Sequence, residues 1–64
     1  MDTYRAVGLA EGFESGTEEE VIAAWQYLVD TGLCWSLQGW FGRTATALIE
    51  AGIVQPAQRV TQEA

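Results

Sequence analysis

The amino-acid sequence predicts an all-α fold, a small three-helix domain centred on a helical hairpin. Three observations carry that expectation. Thr17 and Glu20 have the spacing of a capping box, in which each side chain satisfies an orphan amide of the other residue. Val21, Ala24, Trp25 and Leu28 then follow the helical period. A second run, Leu37, Trp40, Phe41, Thr44, Ala45, Leu48 and Ile49, recurs at three- and four-residue steps.

The first helix carries the weakest signal. Asp2 or Thr3 can cap it, and Tyr4, Ala6, Val7 and Ala10 give it a modest apolar face. Gly8 works against it. "EGFESG" reads as a connection, and Phe13 within it is expected to plug the core. The second helix is expected at 18–31. Glu18, Glu19 and Glu20 fill its first turn, where the helix dipole favours acids, and Ile22 and Val29 widen its stripe. Gly32 supplies the left-handed residue that ends it. The third helix is expected at 36–51. Gly52 closes it, and Ile53 is placed to pack back on its last turn. A linker of about three residues makes helices two and three antiparallel neighbours or a bent hairpin. Residues 1–53 then form the helical domain. Residues 54–64, with the sole proline Pro56, form a short polar tail, read as partly disordered.

Composition excludes several classes of activity. Cys34 is the only cysteine and there is no His, so no intramolecular disulfide or zinc site is expected, and no cofactor motif is present. Without His or Lys the usual general bases and Schiff-base amines are missing, so the chain is not expected to be an enzyme. Cys34 reads as a small buried apolar residue. A chain of 64 residues is one domain, and one this short buries only about 60% of its unfolded surface, which makes a homodimer a serious candidate.

Nine acidic residues stand against Arg5, Arg43 and Arg59, for a net charge of −6. Glu11, Glu14, Glu18, Glu19, Glu20 and Asp30 fall in a segment without a basic residue. Direct nucleic-acid binding is therefore disfavoured. The acids either keep a small domain in solution or steer it towards a basic partner, in the manner of a DNA mimic. No run reaches the roughly 18 apolar residues of a membrane span, and "MDTYRAVGLAEGF" does not read as a secretory signal. With a free cysteine, these features point to the bacterial or host cytosol.

"WSLQGWFGR", residues 35–43, concentrates Trp35, Trp40, Phe41 and Arg43 around Gly39 and Gly42. Each glycine inside a helix costs roughly 1 kcal/mol relative to Ala. Three readings account for them. The glycines admit a close neighbour under Trp25 or Trp35; or "SLQG" is an irregular turn and the helix starts later; or the glycines open a groove between Trp35, Trp40 and Phe41. Arg43 either stacks on a ring or pairs with Glu50 or a carboxylate of helix two. Trp and Arg are enriched in binding hot spots. The candidate partner-binding residues are thus Trp35, Trp40, Phe41 and Arg43 on one surface, and Glu11, Glu14, Glu18, Glu19 and Glu20 on another.

The run "AWQYLVDTGLCWSLQGWFGRTATALIEAGI" resembles small acidic uncharacterised proteins of tailed bacteriophages and related mobile elements. The resemblance spans roughly residues 4–53 and is most specific in "WQYLVDTG" and "WSLQGWFGR". It carries no known functional residues. It implies expression in an infected bacterium and action by binding and inhibiting or redirecting a host protein, such as an anti-phage defence or CRISPR component. The alternative it leaves is a small self-assembling structural or virion-associated protein.

Overall fold

The computed structural model describes residues 1–57. The chain forms α1 (Thr3–Glu11), α2 (Glu18–Thr31), α3 (Leu33–Ser36) and α4 (Gly39–Glu50), with no strand among the described residues. The all-α fold expected from the sequence is the observed one. The expectation for the tail beyond residue 57, Arg59 included, lies outside the described residues.

α2 is the central element and matches its expected limits. The Thr17 hydroxyl accepts the Glu20 amide at 3.1 Å, and the Glu20 carboxylate accepts the Thr17 amide at 2.9 Å. Gly32, at φ 80°, ends α2 and at once begins α3, so a single residue turns the chain there. That left-handed conformation is open to glycine without steric cost.

The expected third helix is divided. Leu37 is extended (φ −84°, ψ −169°) and Gln38 follows with ψ 153°, which breaks the hydrogen-bond ladder between α3 and α4. "SLQG" is therefore the irregular turn, and Gly39 begins α4 and so escapes most of the cost of an interior glycine.

Two further expectations are corrected at helix ends. Phe13 does not plug the core; it is exposed. After Gly12 (φ 87°), the amides of Phe13 and Glu14 both bond to the Gly8 carbonyl, at 2.8 and 3.1 Å, and this turn carries the ring outwards. Ile53 does not close the last turn of α4: it is 48% exposed, whereas Val54 is 1% exposed. The amides of Ile53 and Val54 both bond to the Leu48 carbonyl, at 3.0 and 3.3 Å, and the second residue past Gly52 is the one that returns. On α1, Ala6, Gly8 and Leu9 are buried and Tyr4 is not. Tyr4 lies about 140° from Leu9 on a helical wheel, away from the core-facing side chains, and the burial of Gly8 near it comes from Glu14 lying against that glycine.

The core gathers Ala6, Leu9, Ala24, Trp25, Leu28, Val29, Cys34, Phe41, Ala45 and Val54. α1 packs along α2, where the Thr3 and Tyr27 hydroxyls lie 3.1 Å apart. The segment after α4 is tied to α2 by Gln26, whose carboxamide accepts the Gln55 amide at 2.9 Å and donates to the Gln55 carbonyl at 3.0 Å. The packed unit thus continues through Gln55.

Val54→Ala removes buried apolar surface and leaves a cavity, at a cost of about 2 kcal/mol. Ile53→Ala should cost well under half of that. Urea unfolding followed by Trp fluorescence measures both; equal losses would refute this assignment of the two side chains.

Candidate functional site

Phe41 belongs to the core and offers no surface to a partner, which removes it from the expected aromatic patch. Its ring meets Trp40 edge-on, with centroids 4.8 Å apart and planes at 82°. Trp25 touches both, at 5.9 Å from each centroid. Trp40 therefore gives one side to this cluster and remains 43% exposed. Trp35, 53% exposed, lies elsewhere, over Gly42. A Cβ on Gly42 would meet the Trp35 ring at 3.4 Å, an ordinary contact distance. No ring contact joins Trp35 to Trp40 among the described residues, and these rings do not line one groove with Phe41. Arg43 is exposed and folds back along its own helix, its Nη1 3.2 Å from where a Gly39 Cβ would lie. It forms no ion pair with Glu50 or an α2 carboxylate among the described residues.

The acidic surface is less uniform than its sequence. Arg5 reaches it from α1, with Nη1 3.6 Å from Glu14 and Nη2 3.5 Å from Glu20. Glu20 also serves the capping box. Glu14 lies against Gly8, where an added Cβ would sit 2.9 Å from the Glu14 Cγ. These two acids have internal roles. Glu11, Glu18 and Glu19 are exposed and form no ion pair among the described residues. No group of three His, Cys, Asp or Glu suited to a metal occurs among the described residues.

A different surface stands out. Tyr4, Val7, Gly8 and Glu11, a stripe along α1 that is exposed at Tyr4 and Glu11, half-buried at Val7 and buried at Gly8, join Phe13 and Glu14 around a groove of about 430 Å³. Tyr4 is 85% exposed and Phe13 84% exposed. Asp2 fixes the start of this wall by accepting the Arg5 amide at 2.8 Å, and the Gly12 turn fixes its end. Glu11 and Glu14 were candidates from their charge. Tyr4 and Phe13 were not, because both were assigned to the core.

Cys34 is fully buried, and burial pushes its thiol up from the ordinary 9.0, only partly offset by a backbone hydrogen bond. It is protonated at neutral pH. No helix among the described residues is long and apolar enough to cross a membrane.

Comparison with known proteins places the chain in one family. The model of a domain of unknown function (DUF7417) matches residues 11–64, and the chain belongs to that family. No curated protein and no solved structure matches.

The thiol has a measurable signature. A folded-state pKa above the unfolded value adds stability that is complete below the unfolded pKa and is lost as pH rises through the folded one. Stability should thus fall from about pH 9 upwards in the native protein and not in Cys34→Ala. Urea midpoints measured across that range test this; identical pH profiles for the two proteins would refute it.

Proposed function

We propose that this chain is a non-enzymatic binding protein that acts by docking on another protein through the Tyr4–Phe13 groove. The observation that carries this reading is the pair of aromatic side chains, both more than four-fifths exposed, beside a groove with two carboxylates. Aromatic rings dominate interface energetics, and a polar rim around an apolar centre is the usual anatomy of a docking surface. The absence of His and Lys from the whole sequence and the burial of Cys34 argue against catalysis. The resemblance to small phage and mobile-element proteins supplies the context: a bacterial host protein as partner, in the host cytoplasm, inhibited or redirected as part of a contest with host defence. The net charge of −6 argues against direct nucleic-acid binding.

Affinity capture from nuclease-treated bacterial lysate tests the reading. The wild-type chain should retain a specific protein that the Tyr4→Ala/Phe13→Ala double variant loses at least tenfold, with unchanged helical circular dichroism. Retention by the double variant and loss by Trp35→Ala or Trp40→Ala would move the site to the α3–α4 surface.

A second reading is a small self-assembling structural or virion-associated protein. It draws on Trp35 and Trp40, each about half exposed on a domain with few large buried side chains. Sedimentation equilibrium decides it. A monomer throughout the micromolar range is the outcome for a groove-docking protein, whereas a stable oligomer disrupted by Trp40→Ala favours assembly.

A further inference from the structure

We infer that the groove between Tyr4 and Phe13 receives a cationic side chain, Arg or Lys, presented by an apolar segment of the partner protein. This rests on the proposed docking role of the groove and names the chemistry of its occupant. The walls are two aromatic rings almost wholly open to solvent. The faces of such rings carry negative quadrupole density and attract cations. Val7 also lines the groove, and Gly8 brings no side chain to it. The lining residues that carry polar groups are Glu11, Glu14 and Tyr4.

The charge balance has one sign. Three acids, Glu11, Glu14 and Glu20, stand against one guanidinium, that of Arg5, which pairs with Glu14 and Glu20 and forms no ion pair with Glu11 among the described residues. Two negative charges remain uncompensated at this end of the molecule. Glu18 and Glu19, on the first turn of α2, add to them. An anionic or phosphate-bearing ligand would meet repulsion here. A purely apolar segment would cover the rings but strip water from Glu11 without replacing it. A segment carrying Arg or Lys among aliphatic residues meets every requirement: its stem packs on Tyr4 and Phe13 while its head reaches Glu11.

The test uses the full chain as bait for a random twelve-residue peptide library, with nuclear magnetic resonance shifts locating each selected peptide. The expected winners pair Arg or Lys with aliphatic residues and shift Tyr4, Val7, Glu11 and Phe13. Glu11→Gln, at an exposed position without an ion pair, should weaken a winning peptide about three- to fivefold. Phe13→Leu keeps apolar area without the ring quadrupole and should weaken it about threefold. Binding should also weaken as salt rises from low to physiological and beyond. Uncharged peptides seated in the groove, with no loss on Glu11→Gln, would overturn the cationic occupant while leaving the docking role in place. Peptides seated on Trp35 or Trp40, or a library that yields no groove-binding sequence, would overturn both.

Discussion

The structure depends on α2 holding its shape so that its neighbours have something to pack on, and its sequence secures that helix from both ends. The capping box closes the N-terminus, three glutamates sit on the positive end of the dipole, and Gly32 stops the C-terminus. Ala24, Trp25, Leu28 and Val29 then form one buried face. Each other segment is fixed to this helix by a specific contact. α1 lies along it and meets it at Thr3 and Tyr27; α3 leaves it through a one-residue turn; α4 reaches it through the rings of Trp40 and Phe41 on Trp25; Gln55 is held by Gln26. The largest fully buried side chains are only Leu28, Val29, Val54 and Cys34. In a core this small, aromatic pairs worth about 0.5–1.5 kcal/mol each beyond their area are a substantial share of stability.

Local signals were legible, and tertiary ones were not. α2 has its expected boundaries because caps, dipole charges and glycine stops act within a few residues. The break at Leu37 and Gln38 has no such signature: the apolar period runs across it unbroken, and Phe41 and Ala45 are buried in the phase that the sequence suggests. The non-helical backbone of Leu37 and Gln38 separates α3 from α4 and leaves Trp35 over Gly42, a contact the linear pattern does not encode. The two glycines of "WSLQGWFGR" thus differ in place: Gly39 starts α4, and Gly42 lies under the Trp35 ring, where an added Cβ would make only an ordinary contact. The aromatic patch expected there is divided for the same reason, with Phe41 inside, Trp40 at the edge of the core and Trp35 apart from both. Of the expected acidic surface, Glu14 and Glu20 are drawn to Arg5, which precedes them in sequence by nine and fifteen residues and looked remote.

The misplacement of Phe13 and of Ile53 has one cause. α1 and α4 end identically: a left-handed glycine, then two successive amides bonded to one carbonyl, that of Gly8 in α1 and of Leu48 in α4. In both, the first residue after the glycine faces water and the second folds back over the helix. At α4 the second residue is Val54, and it enters the core. At α1 the second residue is Glu14, which meets Arg5, and the outward position holds Phe13. The glycines were readable as stops; the direction in which the chain leaves them was not.

That shared geometry also bears on what Phe13 is for. α4 shows that this turn buries an apolar side chain when the sequence puts it second. At α1 the inward place holds an acid, so the turn buries no apolar side chain, and the outward place holds an aromatic ring that is 84% exposed against 48% for Ile53, next to a tyrosine that α1 also presents outwards. The ring contributes almost no burial to the isolated domain, and so almost none of the roughly 25 cal/mol per Å² that covering it would supply. Glu14 in turn holds Arg5 against Glu20 across the gap between α1 and α2, so the wall of the groove is braced by charge and not by Phe13. Folding therefore does not require the aromatic ring at this position. The docking role proposed above would use it, since a binding surface gains from apolar area that is already pre-positioned.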